Sequence, residues 1–393
     1  MRKMAKLFDI TGLALSGEWG IDDETGNGIP VLRTTNFTND GIVNYNNVVT
    51  RIINKRNIDE KYLRKGDIII EKSGGSDNQP VGRVIFFEGP EKTYLFNNFT
   101  GLLRVKDHTR WFPKYIFYAL FANYRRGGTI QFENKTTGLH NLKTDDYVKR
   151  FAIVEKDIGT QRTICFQLDK VRQIISLRHS ELSAFDNLIK ARFVEMFVSK
   201  KYPVIELEKI SLGKGEYGAQ SASIEYDARR PRYVRITDIN DDGTLNDDVV
   251  CSANISDDLQ YKLEYGDFCF ARMGATVGKT YSFKEGNQIF AGYLIRYKLN
   301  LDLIKPEYLY AYTTLDEYKA WVLLNQSGAA QPGINARKYG SLQIPLAPIK
   351  EQIAFVEFCK QIDKSKFVVQ QALDKAKLLF DSLMQKYFGE MKE

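Results

Sequence analysis

The feature that most constrains this chain is that it is written twice. The stretch "LRKGDIIIEKSGGSDNQPVGRVIFF" from Leu63 is answered by "LEYGDFCFARMGATVGKTYSF" from Leu263, with Gly66-Asp67 against Gly266-Asp267 and Val81-Gly82-Arg83 against Val277-Gly278-Lys279. Upstream, Gly17-Glu18-Trp19-Gly20 answers Gly215-Glu216-Tyr217-Gly218, and "VLRTTNFTNDG" (31–41) answers "YVRITDINDDG" (233–243). Downstream, "PKYIFYALFA" (113–122) answers "PEYLYAYTTL" (306–315), and "FDNLIKARFVEM" (185–196) answers "FDSLMQKYFGEM" (380–391). Matches in one order, with gaps confined to loops, define a tandem duplication, so both halves must share one fold.

Periodicity divides each half again. The first part mixes short β-branched and aromatic runs such as Val81–Phe87 with turn signals such as Asn39-Asp40-Gly41, and a helix is expected from Pro113 or Pro306, both suited to a first helical turn. The last part is helical. Ile164, Leu168, Val171, Ile175, Arg178, Leu182, Phe185, Ile189, Arg192 and Met196 recur at alternating spacings of four and three, as do Phe355, Cys359, Ile362, Lys366, Val369, Leu373, Ala376, Phe380, Leu383 and Tyr387. Such seams predict two long helices paired as an antiparallel coiled coil; two separate amphipathic helices, each lying on its own module, are the alternative. The expected fold class is therefore α/β (α+β): tandem modules at 1–152 and 202–346 separated by long helices at 153–201 and 347–393, with an internal pseudo-two-fold.

With antiparallel helices, about 35 residues at ~1.5 Å each would hold the modules roughly 50 Å apart. That spans about 15 base pairs of duplex DNA, a ligand whose half-sites are themselves related by two-fold symmetry. Composition permits this. The 393 residues suggest two or three domains, and a net charge of +7 allows nucleic-acid binding without demanding it. No run approaches the ~18 apolar residues of a membrane span, Asp9 interrupts the apolar stretch near the start so that no signal peptide is expected, and the scattered Cys165, Cys251, Cys269 and Cys359 suit a reducing cytoplasm. "EYGDFCFARMGATVGKT" (264–280) comes near a nucleotide P-loop, but three residues separate Gly274 from Gly278 where the phosphate cradle needs four, and Met273 stands where a glycine would be required. His108, His140 and His179 are too dispersed to suggest a local metal or triad motif, and no amino-methylation motif is visible.

The run "IPLAPIKEQIAFVEFCKQID" (344–363), a short strand, a proline turn, Glu351-Gln352 and a long helix, resembles the junction between recognition domain and conserved helix in specificity subunits of Type I restriction-modification systems. "KSGGSDNQPVGRVIFF" (72–87) and "YGDFCFARMGATVGK" (265–279) resemble the core of their target-recognition domains, and the order of parts matches over nearly the whole chain. The first junction, "IVEKDIGTQRTI" (153–164), departs from the pattern, keeping Gln161 but not the glutamate or the two prolines. The resemblance implies a non-catalytic subunit in which each module reads half of a split duplex site. It also implies that the helices carry two modification subunits methylating adenine, with restriction subunits in the same assembly. No cofactor would be bound by the chain itself; S-adenosylmethionine, ATP and Mg²⁺ would belong to the partners. A coiled-coil scaffold without DNA binding, and a freestanding DNA-modifying enzyme with an unrecognised motif, are the competing classes.

Two loops per module have base-reading chemistry. Lys72, Ser73, Gly74, Gly75, Ser76, Asn78 and Gln79 combine close-approach glycines with hydrogen-bonding side chains, and the equivalent stretch holds Arg272, Gly274 and Thr276. Arg83 and Lys279 follow as phosphate anchors or plain surface charges. After the proline-initiated helix come Arg125, Arg126, Lys135, Thr136, Thr137, His140, Asn141 and Lys143 in one copy, and Asn325, Gln326, Ser327, Gln331, Asn335, Arg337 and Lys338 in the other. Such sets suit phosphate positioning with base reading, although a polar hairpin or solvated loop has the same composition. Arg33 and Arg235 suit a phosphate contact or an internal bridge, and Trp19 and Tyr217 suit base stacking or core packing. The loops differ between copies while their flanks agree, as two readers of different half-sites require.

Overall fold

In the computed structural model, residues 3–55, 58–136, 139–256, 258–328 and 332–389 are described. The chain divides into two compact units, the first running to Leu177 and resuming at Ala372, the second spanning Arg178–Gln371. Each unit thus holds one module with one end of each long helix.

The duplication is one of topology. In the first unit an antiparallel sheet runs in the order Leu15–Ser16, Thr100–Leu103, Ile68–Glu71, Val84–Phe86; in the second, Glu216–Tyr217, Leu294–Lys298, Asp267–Ala271, Thr280–Ser282. A parallel pair recurs as Ile29–Leu32 with Leu95–Phe96 and as Arg232–Val234 with Gln288–Phe290. A ribbon closes each module, Met4–Lys6 with Ala152–Val154 and Val204–Glu206 with Gln343–Pro345. The run Ile68-Ile69-Ile70 is apolar throughout rather than alternating because both faces are covered: Ile68 and Ile70 join the core around the helix Pro113–Arg125, whereas Ile69 joins a second core with Leu32 and Phe96. Phe268 and Phe270 part from Cys269 and Ala271 in the same way.

The Gly-Asp motif that revealed the repeat is a turn with an anchor. Asp67 accepts the backbone N–H of Arg64 at 2.7 Å and the Nε and Nη2 of Arg104 at 2.8 and 2.7 Å, while Arg104 also donates to the carbonyls of Glu60 and Tyr62. In the second unit Asp267 accepts from Glu264 N–H at 3.0 Å and from Arg296 Nη1 at 3.3 Å, and Arg296 holds the carbonyls of Gln260 and Lys262. Burial raises the Asp267 pKa even though that N–H and Arg296 oppose it.

The long helices span Ile158–Phe193, continued by a wider π turn at Val194–Val198, and Ile349–Phe388. Every seam position expected from the four-three spacing is buried or half-buried. Ile164, Leu168 and Val171 pack with Phe380, Met384 and Phe388 in the first unit, and Phe193 packs with Phe355 in the second. In each unit the beginning of one helix meets the end of the other, the antiparallel pairing expected. Lys366, the one charge in its seam, is answered by Asp186 at 2.5 Å.

Each helix is tied to its module by a glutamine with no exposed surface. Gln161 Oε1 accepts the N–H of Phe112 at 2.8 Å, and its Nε2 donates to the carbonyls of Arg110 and Lys156. Gln352 repeats the pattern with Lys305 N–H at 2.9 Å and the carbonyls of Leu303 and Ala347. The departure at the first junction has a physical reason. Glu351 accepts from Lys200 Nζ and Tyr202 Oη, which hold its carboxyl below the usual range, whereas Thr160, one residue before Gln161, is capped by Asp157.

Gln352→Ala strands one buried N–H and two carbonyls and is expected to lower stability by on the order of 3 kcal/mol, read as a shift in denaturant midpoint. Asp186→Ala leaves Lys366 unpaired in an apolar seam; a loss of about 1 kcal/mol is expected, largely recovered by adding Lys366→Leu, in a double-mutant cycle.

Candidate nucleic-acid interface

The two candidate loops of the first module, separated by the whole second half of its sheet, meet in space. Ser73–Gly75 pairs with Leu139–Leu142, which pairs with Glu133–Thr136, so that the stretch after Glu71 and the stretch after the Pro113 helix form one three-stranded surface. Ser73 Oγ donates to Asn141 Oδ1 at 2.5 Å across this joint. Ser76 and Gln79 exchange backbone hydrogen bonds at 2.8 and 3.1 Å in a tight turn, which leaves Asn78 exposed and lets Gln79 Nε2 donate to Asn39. Lys72 donates to Ser16 Oγ at 2.7 Å, and burial of its stem pulls its pKa down.

The second module makes the same joint with different chemistry. Met273 and Ser327 both bridge to Gly333, Gly274 N–H donates to Pro332 O at 2.9 Å, and Ile334 N–H donates to Arg272 O at 2.9 Å. Three buried tyrosines fix the loops: Tyr297 Oη donates to Ala336 O, Tyr339 Oη to Ala271 O and Tyr318 Oη to Gly278 O. The Arg272 guanidinium lies 4.8 Å over the exposed ring of Tyr217, whose hydroxyl accepts Ala336 N–H, so the cation and the Gly-Glu-Tyr-Gly tyrosine form a single platform beside the loop.

The near-P-loop glycine serves packing. Gly278 has φ +88°, and a Cβ there would stand 2.7 Å from Val322; Gly82, with φ +109°, faces Thr129 at the same distance. The Val-Gly repeat therefore seats the segment after the proline helix against the sheet.

Several expected contacts are committed elsewhere. Arg83 is no phosphate anchor: four of its N–H groups are taken, two by Glu71 at 3.0 and 2.8 Å and two by the carbonyls of Thr34 and Phe37, and the pair is 14% and 1% exposed. Burial opposes the arginine charge, but Glu71 outweighs it. His140 points inward, 5% exposed, with Nδ1 3.1 Å from Glu133 Oε2 and Nε2 3.4 Å from Asp77. Arg125 pairs with Asp381 of the second long helix at 2.7 Å, Asn335 caps the short helix Ala336–Gly340 by accepting Lys338 N–H, and Lys279 pairs with Asp241 at 2.7 Å. Thr276 Oγ1 donates to the Met273 carbonyl, closing its own turn. Arg235 forms the internal bridge, with Asp238, while Arg33 donates to the Asn47 carbonyl; Trp19 carries Arg51 3.7 Å from its ring centre.

What stays exposed is a smaller set: Gly74, Ser76, Asn78, Arg126, Lys135 (paired with Asp77), Lys143, Ser327, Arg337 and Lys338, with Gln326 half-exposed. Thr137, Gln331 and the Thr136 side chain lie outside the described residues. Sequence reasoning passed over Asn134 and Leu139, both exposed on the paired strands. On the long helices, Phe166, Ile174 and Leu177 in the first unit and Leu188, Ile353, Phe367 and Val368 in the second turn apolar side chains outward. Among the described residues no helix is long and apolar enough to cross a membrane.

No family model and no curated protein sequence matches the chain. Solved structures do. A chain from a structure described as the basis of complex assembly and conformational transition of the type I R-M system aligns over 98% of this chain and 97% of its own length, with a TM-score of 0.55 at 16% identity. The S subunit of the Type I restriction-modification system from M. genitalium aligns over 99% of this chain and 96% of its own, with a TM-score of 0.57 at 14% identity. The tandem modules and their long helices therefore have, end to end, the fold of Type I S subunits.

Proposed function

We propose that the chain is the DNA sequence-specificity subunit of a Type I restriction-modification complex, each module reading one half of a bipartite duplex site. One observation carries this reading: on a scaffold that repeats its strand order, its Arg–Asp anchors and its glutamine ties, the two loops of each module converge on one surface, and there the copies are joined by different strands and bridges. A duplicated enzyme would keep its reacting groups alike in both copies. A duplicated reader keeps the frame and changes the loops.

In this reading the long helices set the spacer and dock two modification subunits, and the outward apolar side chains are the area such partners would cover. Restriction subunits would complete the assembly. Catalysis, with its S-adenosylmethionine, ATP and Mg²⁺, would reside in those partners, and the cytoplasm is where such a complex would act.

The test is the methylome of a host carrying this gene with its modification subunit. A split adenine-methylated motif is expected, lost with the gene and altered in one half only when one module is exchanged; an unchanged methylome would overturn the proposal. Within the purified complex, Lys143→Ala and Arg337→Ala are each expected to weaken duplex binding for all sequences alike and to lower the slope of log K against log salt by about 1, with stability unchanged. Arg83→Met, which strands the buried Glu71, should instead destabilise the first unit by several kcal/mol in denaturant titration.

A further inference from the structure

The paired strands Glu133–Thr136 and Leu139–Leu142 have two unlike faces. Their register sets Glu133 opposite Leu142, Asn134 opposite Asn141, Lys135 opposite His140 and Thr136 opposite Leu139. Directly opposed residues share a face and successive residues alternate, so Asn134, Asn141 and Leu139 lie on one side and Glu133, His140 and Leu142 on the other. The second side turns inward at its base, where His140 sits between Glu133 and Asp77 and Leu142 is buried, and its Lys135 is taken by Asp77. The first is open. Asn134 is exposed, Leu139 is 56% exposed, and Asn141 is held in place by Ser73.

Two opposed amides with an aliphatic side chain two residues along form a recognisable chemical set. A carboxamide presents a donor and an acceptor side by side, which matches the N7 acceptor and N6 amino donor of adenine in the major groove. The thymine of the same or a neighbouring pair places its C5 methyl on that groove wall, where an aliphatic group can meet it, and a two-stranded ribbon is narrow enough to enter. Among the described residues of the second module the joint is made differently, Ser327 bridging Gly333 directly.

We infer that this ribbon is an A·T reader: Asn134, supported by Asn141, contacts an adenine edge and Leu139 contacts a thymine methyl, in the half-site belonging to the first module. The inference rests on the reading of the chain as a DNA-specificity subunit and adds which base pair one module selects and with which side chains. Asn134 and Leu139 are both exposed, so their replacement leaves the frame intact.

The complex with its modification subunit is used to select duplexes from a randomised library, with wild-type protein defining the split site. Asn134→Ala is expected to weaken binding of that site about 5- to 150-fold and to relax selection at one A·T pair of one half. Asn134→Asp, which removes the donor but keeps shape and acceptor, should move the preference at that position from adenine towards cytosine, whose N4 amino group donates. Replacing that adenine by 7-deazaadenine should weaken wild-type binding and leave Asn134→Ala unaffected, and replacing thymine by uracil should do the same for wild type against Leu139→Ala. A wild-type complex that selects a split site while both Asn134 variants select it with unchanged stringency would overturn the adenine contact alone. A relaxed position that proves to be G·C would do so too. A wild-type complex without any sequence preference would remove the underlying reading as well.

Discussion

A buried carboxamide must find a partner for each of its polar atoms or pay the full cost of their desolvation, and in this chain that demand is met twice in the same way. Gln161 and Gln352 each take one N–H from the residue before a proline-initiated helix and give two hydrogens to carbonyls on either side of the module–helix junction. The N–H of the residue just before each proline is partly buried at the junction, where the glutamine is its hydrogen-bond acceptor. In accepting it, the glutamine locks the start of the module's helix to the start of the long helix. Within each unit the direction in which the long helix leaves the module is thereby set by hydrogen bonds rather than by apolar packing alone, which tolerates rotation and slippage. The loops that follow the proline helix inherit this fixed reference.

From that reference outward, constraint falls off in steps. The sheet repeats side by side in its strand order and in the way alternate residues part into two cores. The Arg–Asp anchors repeat with one change, since Arg104 engages Asp67 through two nitrogens and Arg296 divides itself between Asp267 and Glu216. At the loops, only the fact of their meeting is common. A third strand joins them in the first unit, and backbone bridges through Gly333 join them in the second. A surface that must vary without disturbing the fold belongs at this outermost step, at the exposed positions between the buried side chains that fix each loop.

The same gradient explains what could be read from residues alone. The duplication, the junctions and both helix seams were legible because each rests on short-range patterns: a turn, a proline, a spacing of four and three. Even Lys366 stood out, although its partner Asp186 lies far away in sequence. The site was legible only as a region. Arg83 and His140 look like ligand-binding groups in isolation, and nothing nearby in sequence reveals that Glu71 and Glu133 have already claimed them, since those pairings exist only once the strands are side by side. Asn134 and Leu139 were hidden for the opposite reason: the ribbon carries few apolar residues, so its alternation lacks the contrast on which a strand is recognised.

Those internal claims on charge also decide what kind of binding surface remains. Around the loops Arg83, Lys135 and Lys279 each have an acidic partner, and Arg272 lies over an aromatic ring. A paired cation attracts a phosphate weakly, because the field of its carboxylate nearly cancels its own beyond a few ångströms. Among the described loop residues, Arg126, Lys143, Arg337 and Lys338 are the exposed cations that, in the proposed reading, would hold the backbone of a duplex. In that reading discrimination would fall to groups that gain little unless donor meets acceptor, amides and backbone edges above all, and these lose most when the wrong base leaves a polar atom unpaired. A protein meant to hold any duplex would free its arginines. One meant to reject nearly all of them benefits from tying those arginines into its own frame.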